Sequence, residues 1–118
     1  MTKPNCGPSA LAAILQIPVA EVEQTYAALH NKSGRWQGRS TIPGMLRTAK
    51  KLGCNLRPEG AGGSLGRWVD EALPGRSYFV RVGGHFVAVI DGKVIDQMGN
   101  DRMGKLARRR VTHAYFVA

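Results

Sequence analysis

Along the first half of the chain the apolar residues recur at helical spacing. After Cys6-Gly7-Pro8 the run from Ser9 to Gln16 is rich in strong helix formers and apolar on nearly every side, and Pro8 suits a first helical turn, so a buried helix is predicted there. Ile17-Pro18 interrupts it. From Val19 to Leu29 the apolar positions Val19, Val22, Tyr26 and Leu29 share one side while Glu21, Glu23 and Gln24 take the other, which predicts a second, amphipathic helix. The polar, glycine-containing stretch from His30 to Ser40 reads as a loop. Thr41 then caps a third helix with the apolar stripe Met45, Leu46, Ala49 and Leu52, and Gly53 stops it.

Beyond Gly53 the period changes. Cys54 to Arg57 reads as a short strand, Gly60 to Gly63 as a turn, and Leu65 to Leu73 as a last helix ended by Pro74-Gly75. Ser77 to Val82, His85 to Ile90 and Lys93 to Asp96 are β-branched and aromatic runs separated by Gly83-Gly84 and Asp91-Gly92, the second a strong hairpin signal. Val111 to Val117 supplies a closing strand. Helices followed by an antiparallel meander predict an α+β fold with segregated layers. With 118 residues, no internal repeat and no linker, one domain spanning 1–118 is expected.

Composition narrows the setting. No apolar run approaches the ~20 residues of a membrane span, and the first residues lack the apolar stretch of a secretory signal, so a soluble, cytoplasmic protein is expected. In that compartment the two cysteines, Cys6 and Cys54, are expected to stay reduced. Seventeen Lys and Arg against eight Asp and Glu give a net charge of +9, which draws the chain toward anionic partners without choosing among nucleic acid, acidic proteins and lipid headgroups.

Cys6 stands immediately ahead of the first helix, where unpaired N–H groups and the helix dipole favour an anion and lower a thiol's pKa. Most free cysteines are merely buried, so the surroundings decide. His85 opens a strand directly after Gly83-Gly84, glycines that leave room for another segment to approach. If Asp91-Gly92 is a two-residue turn, residue 90 pairs with 93, 88 with 95 and 87 with 96. Side chains alternate along a strand, so Asp96 falls on the face shared by Val87 and His85, at a diagonal distance of ~7 Å between backbones. A nucleophile, a base and a carboxylate that orients the base are thereby nominated.

Asn5-Cys6-Gly7-Pro8-Ser9-Ala10-Leu11, followed downstream by Gly84-His85-Phe86-Val87-Ala88-Val89 and Val94-Ile95-Asp96, resembles the papain-like peptidase domains that cut double-glycine leaders in bacteriocin exporters, and their stand-alone relatives. The likeness runs across nearly the whole chain, including a segment from Gly38 to Gly53 similar to the family's third helix. It implies a papain-like fold in which N-terminal helices, the nucleophile helix among them, pack on a C-terminal antiparallel sheet. It also implies that Cys6 attacks a carbonyl, His85 moves the proton and Asp96 positions His85, with a peptide or isopeptide amide as target. The family's oxyanion-hole glutamine, about six residues upstream of the cysteine, has no counterpart among the five residues before Cys6. Asn5, Gln16 and Gln97 are the side chains named to replace it, beside the Cys6 N–H. Gln97 also stands where the family has a proline after the acid.

Arg102, Lys105, Arg108, Arg109 and Arg110 form a basic tract before the last strand, and Lys32, Arg35, Arg39, Arg47, Lys50 and Lys51 crowd a second region. Such tracts bind phosphates or form a solvated face. Trp36 is read as a stacking or groove residue, Trp68 and Cys54 as core. His30 and His113 have no companions at metal-ligand spacing, so no metal and no cofactor are expected. The sequence thus points first to a cysteine hydrolase acting on a peptide or protein substrate. Its alternative is a papain-like scaffold without useful catalysis that binds an anionic partner such as nucleic acid or an acidic protein.

Overall fold

The computed structural model describes residues 4–96 and 103–118. The three predicted helical segments of the first half form α1 (Cys6–Leu15), α2 (Val19–His30) and α3 (Ile42–Lys51). Helix α1 stops where Gln16 turns left-handed, φ 57°, with its N–H on the Ala12 carbonyl, and Pro18 then sets the N-terminus of α2. Thr41 caps α3: its hydroxyl accepts from the Gly44 N–H at 3.1 Å, and Lys50 and Lys51 in the last turn suit the negative end of the dipole.

The remainder gives β1 (Leu56–Glu59), α4 (Leu65–Glu71), β2 (Ser77–Val82), β3 (His85–Ile90), β4 (Lys93–Ile95), a single turn α5 (Met103–Leu106) and β5 (Val111–Val117). The fold is α+β around a five-stranded antiparallel sheet in the order β1-β5-β2-β3-β4. Both tight turns have two residues with positive φ, 59° and 100° at Gly83-Gly84 and 50° and 76° at Asp91-Gly92, the geometry whose twist matches the strands it joins. The second turn fixes Ile90 opposite Lys93 and Ala88 opposite Ile95, the pairing that its two-residue length implies. The glycines at 83 and 84 meet the turn's need for positive φ, and another segment does come alongside, the Arg110 carbonyl accepting from the Gly83 N–H at 3.1 Å and the Arg109 Cδ lying 3.8 Å from where a Cβ at 83 would stand.

Two expectations are corrected. The first strand runs from Leu56 to Glu59 instead of Cys54 to Arg57; it is an edge strand paired only with β5, where Pro58 and its missing N–H are tolerated. The layers are also not segregated, because helices cover both faces of the sheet. On one face Phe79, Phe86 and Ala88 pack with Ala10, Leu11, Val22, Met45 and Ala49 of α1, α2 and α3. On the other, Val80, Val87, Val89 and Val94 pack with Leu65 and Trp68 of α4 and Leu106 of α5. Burial on two sides accounts for the consecutive apolar residues Tyr78-Phe79-Val80 of β2 and Phe86 to Ile90 of β3, where a half-exposed strand would alternate. The closing strand β5 does not follow β4 in space but returns to β2, so β2 and β3 lie inside the sheet and β4 is left at its edge. Among the described residues no helix is long and apolar enough to cross a membrane.

Tyr26 organises the loop between α2 and α3. Its ring meets Trp36 edge-on at 5.5 Å, its hydroxyl accepts from the Thr41 N–H at 3.1 Å, and its edge lies 2.7 Å from where a Cβ on Gly44 would stand. In an ordinary helix Gly→Ala is favourable by about 0.5–1 kcal/mol, but overpacking a fixed ring costs about 1–3 kcal/mol, so steric conflict wins here. Gly44→Ala is therefore expected to lower the urea midpoint in the parent protein and to raise it, or leave it level, in a Tyr26→Ala background; equal effects in both would remove the ring as the cause.

Candidate active site

Helix α1 points its N-terminus at the beginning of β3. Its first turn is tied down from three directions: the Asn5 side chain donates to Glu23 Oε2 of α2 at 3.3 Å, Ser9 Oγ donates to Asn5 Oδ1 at 3.1 Å, and the indole N–H of Trp36 donates to the Pro4 carbonyl at 3.1 Å. Trp36, expected to stack a base or line a groove, thus anchors the segment leading into Cys6. Glu23 likewise has a tethering role that a wet-face acid does not announce in a sequence.

At the tip of this helix the Cys6 thiol, partly exposed and free, meets the imidazole of His85. Burial pushes the thiol up, but the hydrogen bond to the His85 side chain, the Phe86 N–H, the positive charge of His85 and the Gly7 N–H together outweigh it, and Cys6 titrates below the ordinary thiol value of 9.0. His85 moves the opposite way. Its hydrogen bond to Cys6 raises it, burial lowers it, and the charge of Cys6 with the hydrogen bond and charge of Asp96 carry it above 6.5. Cys54, by contrast, is pushed up by burial. Each shift favours the charged form of its own group, the thiolate of Cys6 and the imidazolium of His85, and each group is part of the cause of the other's shift, the coupling of an ion pair.

Asp96 stands on the other side of the ring. His85 Nε2 donates to Asp96 Oδ2 at 3.4 Å, longer than the ~2.8 Å of a tight charge-assisted bond, with the carboxylate side chain 7% and the imidazole 23% exposed. With Nε2 so directed, Nδ1 is the nitrogen left for the thiol.

The structure therefore brings Cys6, His85 and Asp96 together, and of the three side chains named as oxyanion donors it places Gln16 away from them. Gln16 is exposed at the far end of α1, ten residues and ~15 Å along the axis from Cys6; it was nominated by residue type, and helix length excludes it. Asn5 is adjacent in sequence but its amide is engaged with Glu23 on α2. Gln97 and Arg102 lie outside the described residues, as does the side chain of Lys105 in α5. Arg108, Arg109 and Arg110 are exposed, and the Arg110 carbonyl accepts from the Gly83 N–H at 3.1 Å, which brings the basic tract against the turn that precedes His85. His113 also faces solvent, near the same end of the sheet, across from Arg81.

One residue of this region was not read from the sequence. Arg81 interrupts the apolar strand β2 directly opposite Phe86, its guanidinium 5.8 Å from the centre of the Phe86 ring, and its Nε is buried without a hydrogen-bond partner among the described residues. A charge placed inside the run Tyr78-Phe79-Val80-Arg81-Val82 is the signal that marks it.

The signs of the shifts set the pH behaviour. Cys6, lowered, contributes stability that is present at alkaline pH and lost as pH falls through its folded value; His85, raised, contributes stability that is complete below 6.5 and lost as pH rises through its folded value. Alkylation of Cys6 by iodoacetamide is expected to rise with a midpoint below 9.0, to shift upward in His85→Ala, and to outpace Cys54 throughout; a Cys6 midpoint at or above that of Cys54, read by peptide mass mapping across pH, contradicts the ion pair.

Compared with protein-family models, with curated proteins and with solved structures, the chain finds no match, so its function has to be argued from the chemistry of this site.

Proposed function

We propose that the protein is a papain-like cysteine hydrolase that cleaves a peptide or isopeptide amide. The observation that carries this reading is the single constellation of Cys6 at a helix N-terminus, the His85 imidazole against it and the Asp96 carboxylate behind the ring. The order of these residues along the chain and the motifs around them, which resemble the leader peptidases, support the same reading.

In this mechanism the Cys6 thiolate attacks the substrate carbonyl carbon, and the carbonyl oxygen becomes an oxyanion. The Cys6 N–H, first of α1, is its donor, aided by the positive end of the helix dipole. The His85 imidazolium gives its proton to the departing amine, the C–N bond breaks, and a thioester remains on Cys6. Neutral His85 next takes a proton from water as the water attacks the thioester. The tetrahedral adduct collapses to a carboxylic acid and returns Cys6 to the thiolate. Asp96 holds the imidazole in the tautomer and orientation that both transfers require and stabilises its charge.

Incubation with a mixture of peptide amides of varied sequence, followed by mass spectrometry of products and of the intact protein, is expected to show cleavage together with an acyl adduct on Cys6. Cys6→Ala removes both. His85→Ala lowers turnover by roughly 10² to 10⁴, the usual worth of a general acid and base. Cleavage that survives Cys6→Ala sinks the assignment.

A second reading is favoured by the exposed Arg108, Arg109 and Arg110 beside the His85 turn: a scaffold that binds an anionic macromolecule. It predicts affinity for a single-stranded oligonucleotide that falls steeply with added salt and is unaffected by Cys6→Ala; affinity insensitive to salt counts against it.

A further inference from the structure

Arg81 occupies a position for which neither the sheet nor the core accounts. Its cross-strand partner is Phe86, the residue after the proposed base, and its guanidinium lies over that ring at 5.8 Å. Its Nη2 is 4.0 Å from where a Cβ on Gly84, the residue before the base, would stand. The charge is therefore wedged beside the two chain neighbours of His85. The same Phe86 ring lies 3.4 Å from where a Cβ on Gly7 would stand, so the ring that meets the guanidinium also meets the residue after the nucleophile.

The hydrogen bonding of this arginine is incomplete. Arg81 Nε is buried without a hydrogen-bond partner among the described residues, so the charge of this partly buried side chain is left to its outer nitrogens, where something has to supply the acceptor. The surroundings exclude a cation as that something: Arg109 passes the adjacent turn, Arg110 follows it, and His113 is Arg81's neighbour on β5. What fits is an anion with planar, paired oxygens, which the guanidinium fork binds with two parallel hydrogen bonds.

We propose that Arg81 is the anion-binding residue of a substrate subsite and takes a carboxylate of the peptide, either its C-terminal carboxylate or an acidic side chain near the scissile amide. This rests on the hydrolase reading for the identity of the substrate, but its test does not require turnover.

The probes are bromoacetyl-glycyl-glycine and its C-terminal amide. They alkylate a thiol by the same displacement of bromide and differ only in charge at the far end, and each residue gives ~3.5 Å of reach. The quantity read is the ratio of the acid's rate to the amide's rate at Cys6. Arg81→Gln is expected to lower that ratio about 10-fold and Arg81→Lys to keep part of it, as a point charge replaces a fork. A ratio unchanged in Arg81→Gln, with circular dichroism matching the parent, overturns the proposal.

Should the variant fail to fold, the parent protein decides. N-acetyl-glycyl-glycine is expected to slow iodoacetamide labelling of Cys6 at concentrations where its amide does not, and equal protection overturns the proposal. Stronger protection by a short oligonucleotide than by the peptide acid also overturns it, in favour of nucleic acid. A preference for bromoacetyl-glutamate α-amide over the glutamine compound that exceeds the preference for acid over amide at the C-terminus supports the subsite and makes the side chain its occupant; the reverse order supports it with the terminal carboxylate. Cys6 labelling by iodoacetamide no faster than that of Cys54 counts against the hydrolase reading alone, because the contrast between acid and amide is still measured on the same residue.

Discussion

The start of α1 can lie against the start of β3 because residue 7 is a glycine. A Cβ there would meet Ser40 Oγ, stand 3.2 Å from Met45 Sδ and 3.4 Å from the Phe86 ring, so any side chain would lift the helix from the strand. Ala10 and Ala12, both buried, keep the following turn equally low. This approach gives the Cys6 sulfur its partners: the Phe86 N–H and the His85 ring come from β3, and the Gly7 N–H comes from the helix itself. Pro8 at the third helical position has no N–H, and the Ser9 N–H is already given to the Asn5 carbonyl at 2.8 Å. The donors at the helix tip are thereby concentrated on the two residues nearest the sulfur.

The sheet makes a rigid platform for that approach. Because β5 returns to β2 and leaves β4 outermost, His85 stands on an inner strand held from both sides, while Asp96 follows the last residue of the edge strand. The same return carries residues 108–110 past the Gly83-Gly84 turn, where the Gly83 N–H is held by the Arg110 carbonyl and the Val111 carbonyl is held by the Gly62 N–H. Strand pairing, and not electrostatic attraction, thus places the basic tract near the site. Coverage of the second face by α4 and α5, with Trp68 edge-on to Tyr78 at 5.0 Å, stiffens β2 and β3 from below.

Local grammar made much of this legible. The first two helices and α4 announce themselves by period and by Pro or Gly at their ends, and Asp91-Gly92 fixes a register in which the alternation of two strands puts His85 and Asp96 on one face. Information carried by contacts between distant segments was not legible. Asn5 looks like a donor beside the thiol, but Glu23, eighteen residues away, claims its amide. Gln16 has the right chemistry at the wrong end of a helix. The shift of β1 toward Pro58 depends on its being an edge strand, which only the order of the sheet reveals. Two-sided burial was written in the consecutive apolar residues of β2 and β3, and the short α5 was hidden in a tract whose charges drew attention away from Leu106, its buried member.

Burial at the site is graded, and on the proposed hydrolase reading the gradient bears on how a thiolate survives a substrate. The Asp96 side chain is 7% exposed, the His85 side chain 23%, and Cys6 stands partly exposed at the helix tip. Desolvation is already the largest influence on the thiol and acts against its charged form; a peptide lying over Cys6 removes more water and strengthens that opposition. The same loss of water lowers the local dielectric, so the attraction between sulfur and imidazolium grows as the cost of burying them grows. The balance then turns on whether the imidazolium keeps its charge. Its support comes from a carboxylate on the buried side of the ring, which a ligand arriving from the thiol side leaves in place. The contact least accessible to a ligand is accordingly the one that holds the positive charge, while the imidazole and the thiol that face the ligand are both partly exposed.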